Sequence, residues 1–239
     1  MERVLVTGGG GFIGSNLVRA LIAEGYAVRV LENFSTGREE NLADVMNDIE
    51  LIDDPEGIQS EKNCAQAMKN VSYVLHEAAI PSVPRSIENP IMTDRVNVGG
   101  TLTLLQAANN VKIKRFVFAS SSSVYGDTPG DIRREDAVPK PLSPYAASKQ
   151  AGETYTFLFH KLYGLPTVSL RYFNVFGPRQ DPNSQYAAVV PIFVRHLLSQ
   201  ISPTIFGDGE QARDFTFIDN VIFGNLLAMK SEKICGKEF

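Results

Sequence analysis

No stretch of this sequence approaches the roughly 18 consecutive apolar residues that a membrane-spanning helix needs. Its N-terminus has none of the zones of a secretory signal, because Arg3–Thr7 opens directly into an apolar strand pattern. A membrane is therefore not an expected partner, and the cytoplasm is the expected compartment. Cysteine is scarce: Cys64 and Cys235 are the only two, too few for a disulfide framework and without metal-type spacing. His76, His160 and His196 are scattered singly, so no metal is expected either. Charge of one sign is not concentrated anywhere. The 23 basic and 27 acidic residues leave a formal charge of −4, which argues against nucleic acid as a partner. A phosphorylated ligand stays open, because backbone amides hold phosphate without net positive charge. Repeats, low-complexity segments and linkers are also missing.

What is present is ordinary globular material. The 239 residues are 44% hydrophobic, enough for a core and for one or two domains. Short apolar strands alternate with helical patterns. Strands are expected at Arg3–Thr7, Ala27–Leu31, Glu50–Ile52, Tyr73–His76, Arg115–Ala119 and Thr167–Leu170. Helices are expected at Phe12–Ala23, Glu61–Met68, Asn97–Asn109 and Tyr145–Leu162. This alternation predicts a parallel sheet covered on both faces, with right-handed crossovers. After Leu170 the pattern changes to a loop-rich stretch, a helix at Val189–Ser199, a short strand near Thr204–Phe206 and a helix at Asn220–Met229. This reads as a smaller lobe over 171–239, with a segment near 214–230 returning to the domain formed by 1–170. Residues 231–239 contain no evident closing element.

Between the first strand and the first helix, Gly8, Gly11 and Gly14 stand at Gly-x-x-Gly-x-x-Gly spacing. Such glycines permit a tight turn, close approach of backbone to a pyrophosphate, and close packing of helix on strand. The helix N-terminus then offers amides and a favourable dipole to phosphate. The flanking strand and helix supply the context that makes the motif informative. The second strand ends at Glu32, eighteen residues after Gly14. An acid there accepts hydrogen bonds from ribose hydroxyls and repels a 2′-phosphate, which favours NAD over NADP. Arg38 reads as an ordinary surface residue.

Tyr145 and Lys149 are four residues apart on a predicted helix and so share a face. A neighbouring cation stabilises phenolate, so the tyrosine pKa is expected to fall. The strand ending at Ala119 runs into Ser120, Ser121, Ser122 and Ser123, at the end of a parallel sheet where ligands bind.

The segments TGGGGFIGS, ENFSTG, HEAA, NVGGT, ASSSSVYGD, SPYAASK, LRYFNVFGPRQ and GDGEQARDF resemble the signatures of extended short-chain dehydrogenases in the NAD-dependent epimerase/dehydratase family. The chain is most similar to UDP-hexose 4-epimerases, including those acting on N-acetylated sugars. The resemblance implies an α/β fold: a doubly wound, parallel-sheet Rossmann domain with a smaller interleaved substrate lobe. It implies NAD as cofactor, a UDP-sugar as substrate, and a homodimer paired through the helices at Asn97–Asn109 and Tyr145–Leu162. Tyr145 would be the acid/base, Lys149 its partner and a ligand of the nicotinamide ribose, and Ser121 the hydroxyl bridging tyrosine and substrate. Phe12, Ile13, Asn33, Ser35, Thr36 and Gly37 would hold the adenosine half. Ala78, Ala79 and Ile80 would lie along the cofactor, with Asn97 nearby and Phe173 touching it. Ser82, Ser122 and Ser123 would line the sugar side, and Asn174 and Arg213 would hold the diphosphate. Val189, Thr204, Ile205 and Phe206 would enclose uracil.

Three departures from the family pattern bear on these expectations. The acid after the second strand is usually aspartate, where this chain has the longer Glu32. The third strand usually leads to Gly-Asp-Ile at the adenine site, where this chain has Glu56-Gly57-Ile58 after Asp53 and Asp54. Family members usually continue well past this chain's last residue, adding a closing strand, another diphosphate-binding arginine and the residue that limits the sugar pocket. Related dehydratases carry an Asp-Glu pair in the serine segment, where this chain has Ser122-Ser123. That disfavours elimination, while leaving a glucuronate 4-epimerase or decarboxylase and a non-catalytic NAD-binding protein as alternatives.

Overall fold

The computed structural model describes residues 1–127, 132–181, 189–205 and 207–239. Seven strands form one parallel sheet: β1 (Arg3–Thr7), β2 (Ala27–Glu32), β3 (Ile49–Asp53), β4 (Tyr73–His76), β5 (Arg115–Ser121), β6 (Thr167–Tyr172) and, last in the chain, β9 (Lys237–Glu238). Their spatial order is β3-β2-β1-β4-β5-β6-β9. The order reverses direction between β1 and β4, and the crevice at such a switch point is where doubly wound sheets bind ligands. The inner strands are buried on both faces because both are covered. Residues Val4, Leu5, Val6, Leu75, Phe116, Val117 and Phe118 are all within 1% of complete burial. An apolar run, rather than alternation, is what such strands require.

Helices α1 (Phe12–Ala23) and α8 (Ile218–Lys230) pack together on one face. On the other face lie α2 (Glu61–Ala67), α5 (Thr101–Val111) and α6 (Pro144–Tyr163). The core divides accordingly. Leu17, Val18 and Leu21 of α1 join Ala228 and Met229 of α8 on one side. Leu104 and Leu105 of α5 join Phe116, Phe118 and Phe159 on the other.

Between β4 and α5 the chain is more broken than the sequence pattern suggests. Two short helices, α3 (Val83–Glu88) and α4 (Pro90–Asp94), lead into a wide π-type turn at Arg95–Gly100 before α5 begins. Asn97 therefore sits in that turn rather than at the start of one continuous helix. The stretch after β6 also differs from expectation. Asn174–Phe176 (β7) pairs in parallel with Phe215–Phe217 (β8) as a separate two-stranded sheet. The strand expected near 204–206 does not form at Thr204 and Ile205, which are exposed, and Phe206 lies outside the described residues. The helix expected there, α7, spans Val189–Leu198.

The C-terminal residues do close the sheet, contrary to expectation. The amides of Gly236 and Phe239 donate to Thr167 and Ser169 carbonyls at 2.7 and 3.0 Å, and Arg171 donates back to Phe239 at 2.7 Å. The segment Lys237–Glu238 has no apolar pattern to announce a strand. It is held by backbone pairing to the free edge of β6 and by buried Arg115, which donates to the carbonyls of Ser231 and Ile234.

Candidate active site

The switch point opens into a cleft of about 510 Å³. Its floor is the glycine loop. Gly8 adopts φ +71°, and a side-chain carbon there would lie 2.8 Å from the Ala78 backbone. One at Gly14 would lie 2.2 Å from the Gly8 carbonyl oxygen. The loop is therefore closed to any larger residue. No side chain caps α1, because its N-cap is Gly11, and no acid occupies its first turn. That terminus is left with unpaired amides and the positive end of a helix dipole, which suits an anionic diphosphate.

At one end of the cleft, Glu32 shapes the loop from beneath. Its Oε2 accepts from the Gly10 amide at 2.8 Å, and its Oε1 accepts from the Asn33 and Phe34 amides at 2.9 Å each. Oε2 keeps lone-pair capacity for a further donor. Asn33, Ser35, Thr36, Gly37 and Ile58 line the same end, with Glu56 and Gly57. Arg38 is exposed, as a surface residue is, and it also edges the cleft and pairs with Asp181 at 3.4 Å, bridging the loop after β2 to the segment after β7.

At the other end stand Ala78, Ala79, Ile80, Ser82, Tyr145 and Lys149. The 20-residue α6 is started by Ser143, whose hydroxyl accepts from the Ala146 amide, and by Pro144 in its first turn. It is stopped by Gly164 at φ +71°. This positions Lys149 under the end of β5, where its Nζ donates to the Ala119 carbonyl at 2.7 Å and lies 5.9 Å from the centre of the Tyr145 ring. Burial pushes Lys149 down to about 8, against the opposing pull of Glu77 and Glu153. Tyr145 moves opposite to the sequence expectation. Burial raises its pKa, a hydrogen bond with Ser121 offsets part of the rise, and the Glu77 charge adds to it. The reason is the enclosure of the phenol: its burial outweighs the Ser121 hydrogen bond. Ser121 in turn accepts from the Ser123 amide at 3.2 Å and from its hydroxyl at 2.9 Å, so the serine segment folds back on the strand end.

Not every anticipated residue meets the cleft. Asn97 lies behind it and clamps Ile80, accepting from that amide at 2.8 Å and donating to that carbonyl at 3.2 Å and to Ser148 Oγ at 3.0 Å. Phe173 rests beside Tyr125, ring centres 6.4 Å apart, in a separate shallow groove. Ser122 and Ser123 form the short turn after β5. Asn174, Val189, Thr204, Ile205 and Arg213 are exposed and do not line the cleft.

Two buried networks escaped the sequence reading. Arg171 grips Glu153 with two bonds, at 2.8 and 2.9 Å, and Ser120 donates to Glu153 at 2.6 Å. Glu153 is one turn beyond Lys149 on α6, so its spacing is a signal the sequence does carry. The second joins Glu77 on the cleft wall to Tyr172 and Asn225. Nothing in sequence spacing links those three.

The model of the NAD dependent epimerase/dehydratase family matches residues 4–238. UDP-glucose 4-epimerase of Mycolicibacterium smegmatis is 41% identical over 223 residues, covering 92% of this chain and 71% of that protein. The UDP-N-acetylglucosamine 4-epimerase structure from Methanobrevibacter ruminantium, in complex with UDP-N-acetylmuramic acid, superposes with TM-score 0.92 at 42% identity, over 99% of this chain and 74% of that one. The UDP-glucuronic acid 4-epimerase structure from Bacillus cereus, with UDP-glucuronic acid and NAD, gives TM-score 0.86 at 35% identity, over 99% and 76%. The chain belongs to the NAD-dependent epimerase/dehydratase family, and NAD is its cofactor.

Proposed function

We propose that the chain interconverts the C4 epimers of a UDP-hexose, glucose/galactose or their N-acetylated forms, through a transient 4-keto sugar. The observation that carries this reading is the convergence of Tyr145, Ser121 and Lys149 at the end of β5, beside a cleft suited to a dinucleotide. Ser122 and Ser123 follow, where elimination would call for acidic side chains. NAD, when bound, supplies reversible oxidation at the sugar carbon. The protein supplies the rest. Tyr145 takes the C4 hydroxyl proton and later returns it, and Ser121 holds phenol and sugar hydroxyl in line. The Ser121 hydrogen bond opposes the upward push of burial on the phenol, and Lys149 stands beside the phenol as its partner and as a ligand of the nicotinamide ribose. The stretch between β6 and α8, which carries β7, α7 and β8, is the sugar-nucleotide side in this reading. Arg213 and Asn174 hold diphosphate there, Val189, Thr204, Ile205 and Phe206 hold uracil, and the keto sugar turns over between the two half-reactions.

The purified chain should epimerise at least one of UDP-glucose, UDP-N-acetylglucosamine and UDP-glucuronate, followed by chromatography of both C4 epimers. Conversion of glucuronate alone would move the assignment to that sugar acid. No conversion of any, with NAD bound, would leave a binding protein. Replacing Tyr145 with Phe should slow turnover by about 10²–10⁴ while cofactor affinity holds, because general acid–base assistance is typically of that size. An unchanged rate in that variant would overturn the mechanism.

A further inference from the structure

The cleft wall holds an ionisable side chain for which the reaction above has no use. Glu77 follows β4, and its backbone amide donates to Thr7 at 3.2 Å. Glu77 lines the same cleft as Ser120, Tyr145, Lys149 and Tyr172. Oε1 accepts from the Tyr172 phenol at 2.9 Å. That phenol accepts from Asn225 Nδ2 at 2.7 Å, and the fully buried Asn225 is anchored to the Val221 carbonyl at 2.9 Å. A chain of hydrogen bonds thus runs from α8 through the end of β6 to the end of β4.

The charges around Glu77 are few. Lys149 and Tyr145 face it from α6, and Tyr172 from β6. Asn225 of α8 brings no charge, and neither does the glycine loop. His76 is turned the other way, between Thr7 and Thr101, and is held neutral by burial. Glu153 and Arg171 neutralise each other. No arginine or lysine among the described residues forms an ion pair with Glu77. Burial raises its carboxyl to about 7, against the Tyr172 hydrogen bond and the Lys149 charge. It therefore changes charge within the working range.

The cleft has a direction. The Glu32 end and the Tyr145–Lys149 end lie on either side of the glycine loop, which suits the diphosphate. The redox half of the dinucleotide accordingly belongs at the end that contains Glu77. That half is cationic when oxidised and neutral when reduced. We propose that Glu77, held by Tyr172 and Asn225, sets the preference of the cleft for the oxidised over the reduced cofactor. As a carboxylate it favours the cation, and as an acid it favours neither form. The inference rests on NAD as cofactor, and on no particular sugar or reaction.

The test is direct titration with NAD⁺ and NADH between pH 6 and 8. The two share every phosphate and adenosine contact, so the ratio of their dissociation constants isolates the charge at one end. In the native protein the preference for NAD⁺ should grow by on the order of tenfold across that interval. In Glu77→Gln the rise should be much reduced. Glu77 holds Lys149 up, so Lys149 falls further in that variant and leaves a small slope of the same sign. Lys149→Met, which keeps Glu77, should keep a full rise, at higher pH. Tyr172→Phe removes the donor to the carboxylate, so the same rise should occur at higher pH. A Glu77→Gln protein that keeps the native pH-dependent ratio overturns the proposal. So does one that weakens both cofactors equally with that ratio intact, which would leave Glu77 a packing role only.

Discussion

Helices α6 and α7 invert the usual relation between composition and burial. Seven of the ten residues of α7, VVPIFVRHLL, are apolar, yet it buries none of them. Leu197 and Leu198 are 64% and 82% exposed. By contrast α6 is mixed in composition, yet it buries Ser148, Lys149, Glu153 and Thr156 beside Ala146 and Phe159. The difference teaches where each helix gets its order. The polar residues of α6 are buried because each has a partner: Lys149 the Ala119 carbonyl, Glu153 the Arg171 fork, Thr156 the Ser169 hydroxyl. Of the apolar residues of α7, Val190, Ile192 and Phe193 find only partial cover and the other four stay exposed. Burial follows partners, and hydrophobicity alone does not supply them.

The largest effect should come from breaking a partner of α6. The Arg171 and Glu153 side chains are 3% and 5% exposed. Arg171→Met would leave a buried carboxylate with only Ser120, and losing one partner of such a pair costs about 3–5 kcal/mol. Urea denaturation should show that loss, and adding Glu153→Gln should recover part of it. A stability within 1 kcal/mol of native would mean that the pair is not what holds α6 down.

His76 should give an intermediate, pH-dependent effect. Burial pushes it down to about 3 from an ordinary value near 6.5. The unfolded chain therefore takes up a proton below pH 6.5 that the folded chain refuses. Stability from this group is flat above 6.5 and declines as the pH falls from 6.5 toward 3, at about 1.4 kcal/mol per pH unit. His76→Gln should show a shallower decline between pH 6 and 4 in denaturant titrations. Parallel slopes would contradict the assignment. The smallest effect belongs to α7, where Leu198→Ser should change stability by no more than about 0.5 kcal/mol. A larger loss would show that α7 has cover after all.

These contrasts explain what was legible in the sequence. Strands β1 and β4 fall at their expected limits, because a strand buried on both faces must be an apolar run, and such a run is visible. The glycine spacing gave the cleft floor for a similar reason: backbone approach leaves no room for side chains. The helices α3 and α4 carried start signals, Ser82 before Val83-Pro84 and Asn89 before Pro90, but they are too short to show a helical period. Strand β9 has no apolar signature, since backbone bonds to β6 make it a strand. The pKa direction of Tyr145 is not legible in the sequence, because spacing shows which residues are neighbours and says nothing of how deeply they are enclosed. Glu77, Tyr172 and Asn225 come from three distant segments, and only the folded sheet brings them together.

Glu32 has a consequence for how the cleft fills. Its carboxylate already ties Gly10 to Asn33 and Phe34, so the glycine loop and the turn after β2 are fastened together before any ligand arrives. A cradle assembled in advance loses little conformational freedom on occupation. The entropy of ordering that loop is settled during folding, and the affinity of the cleft is correspondingly free of it.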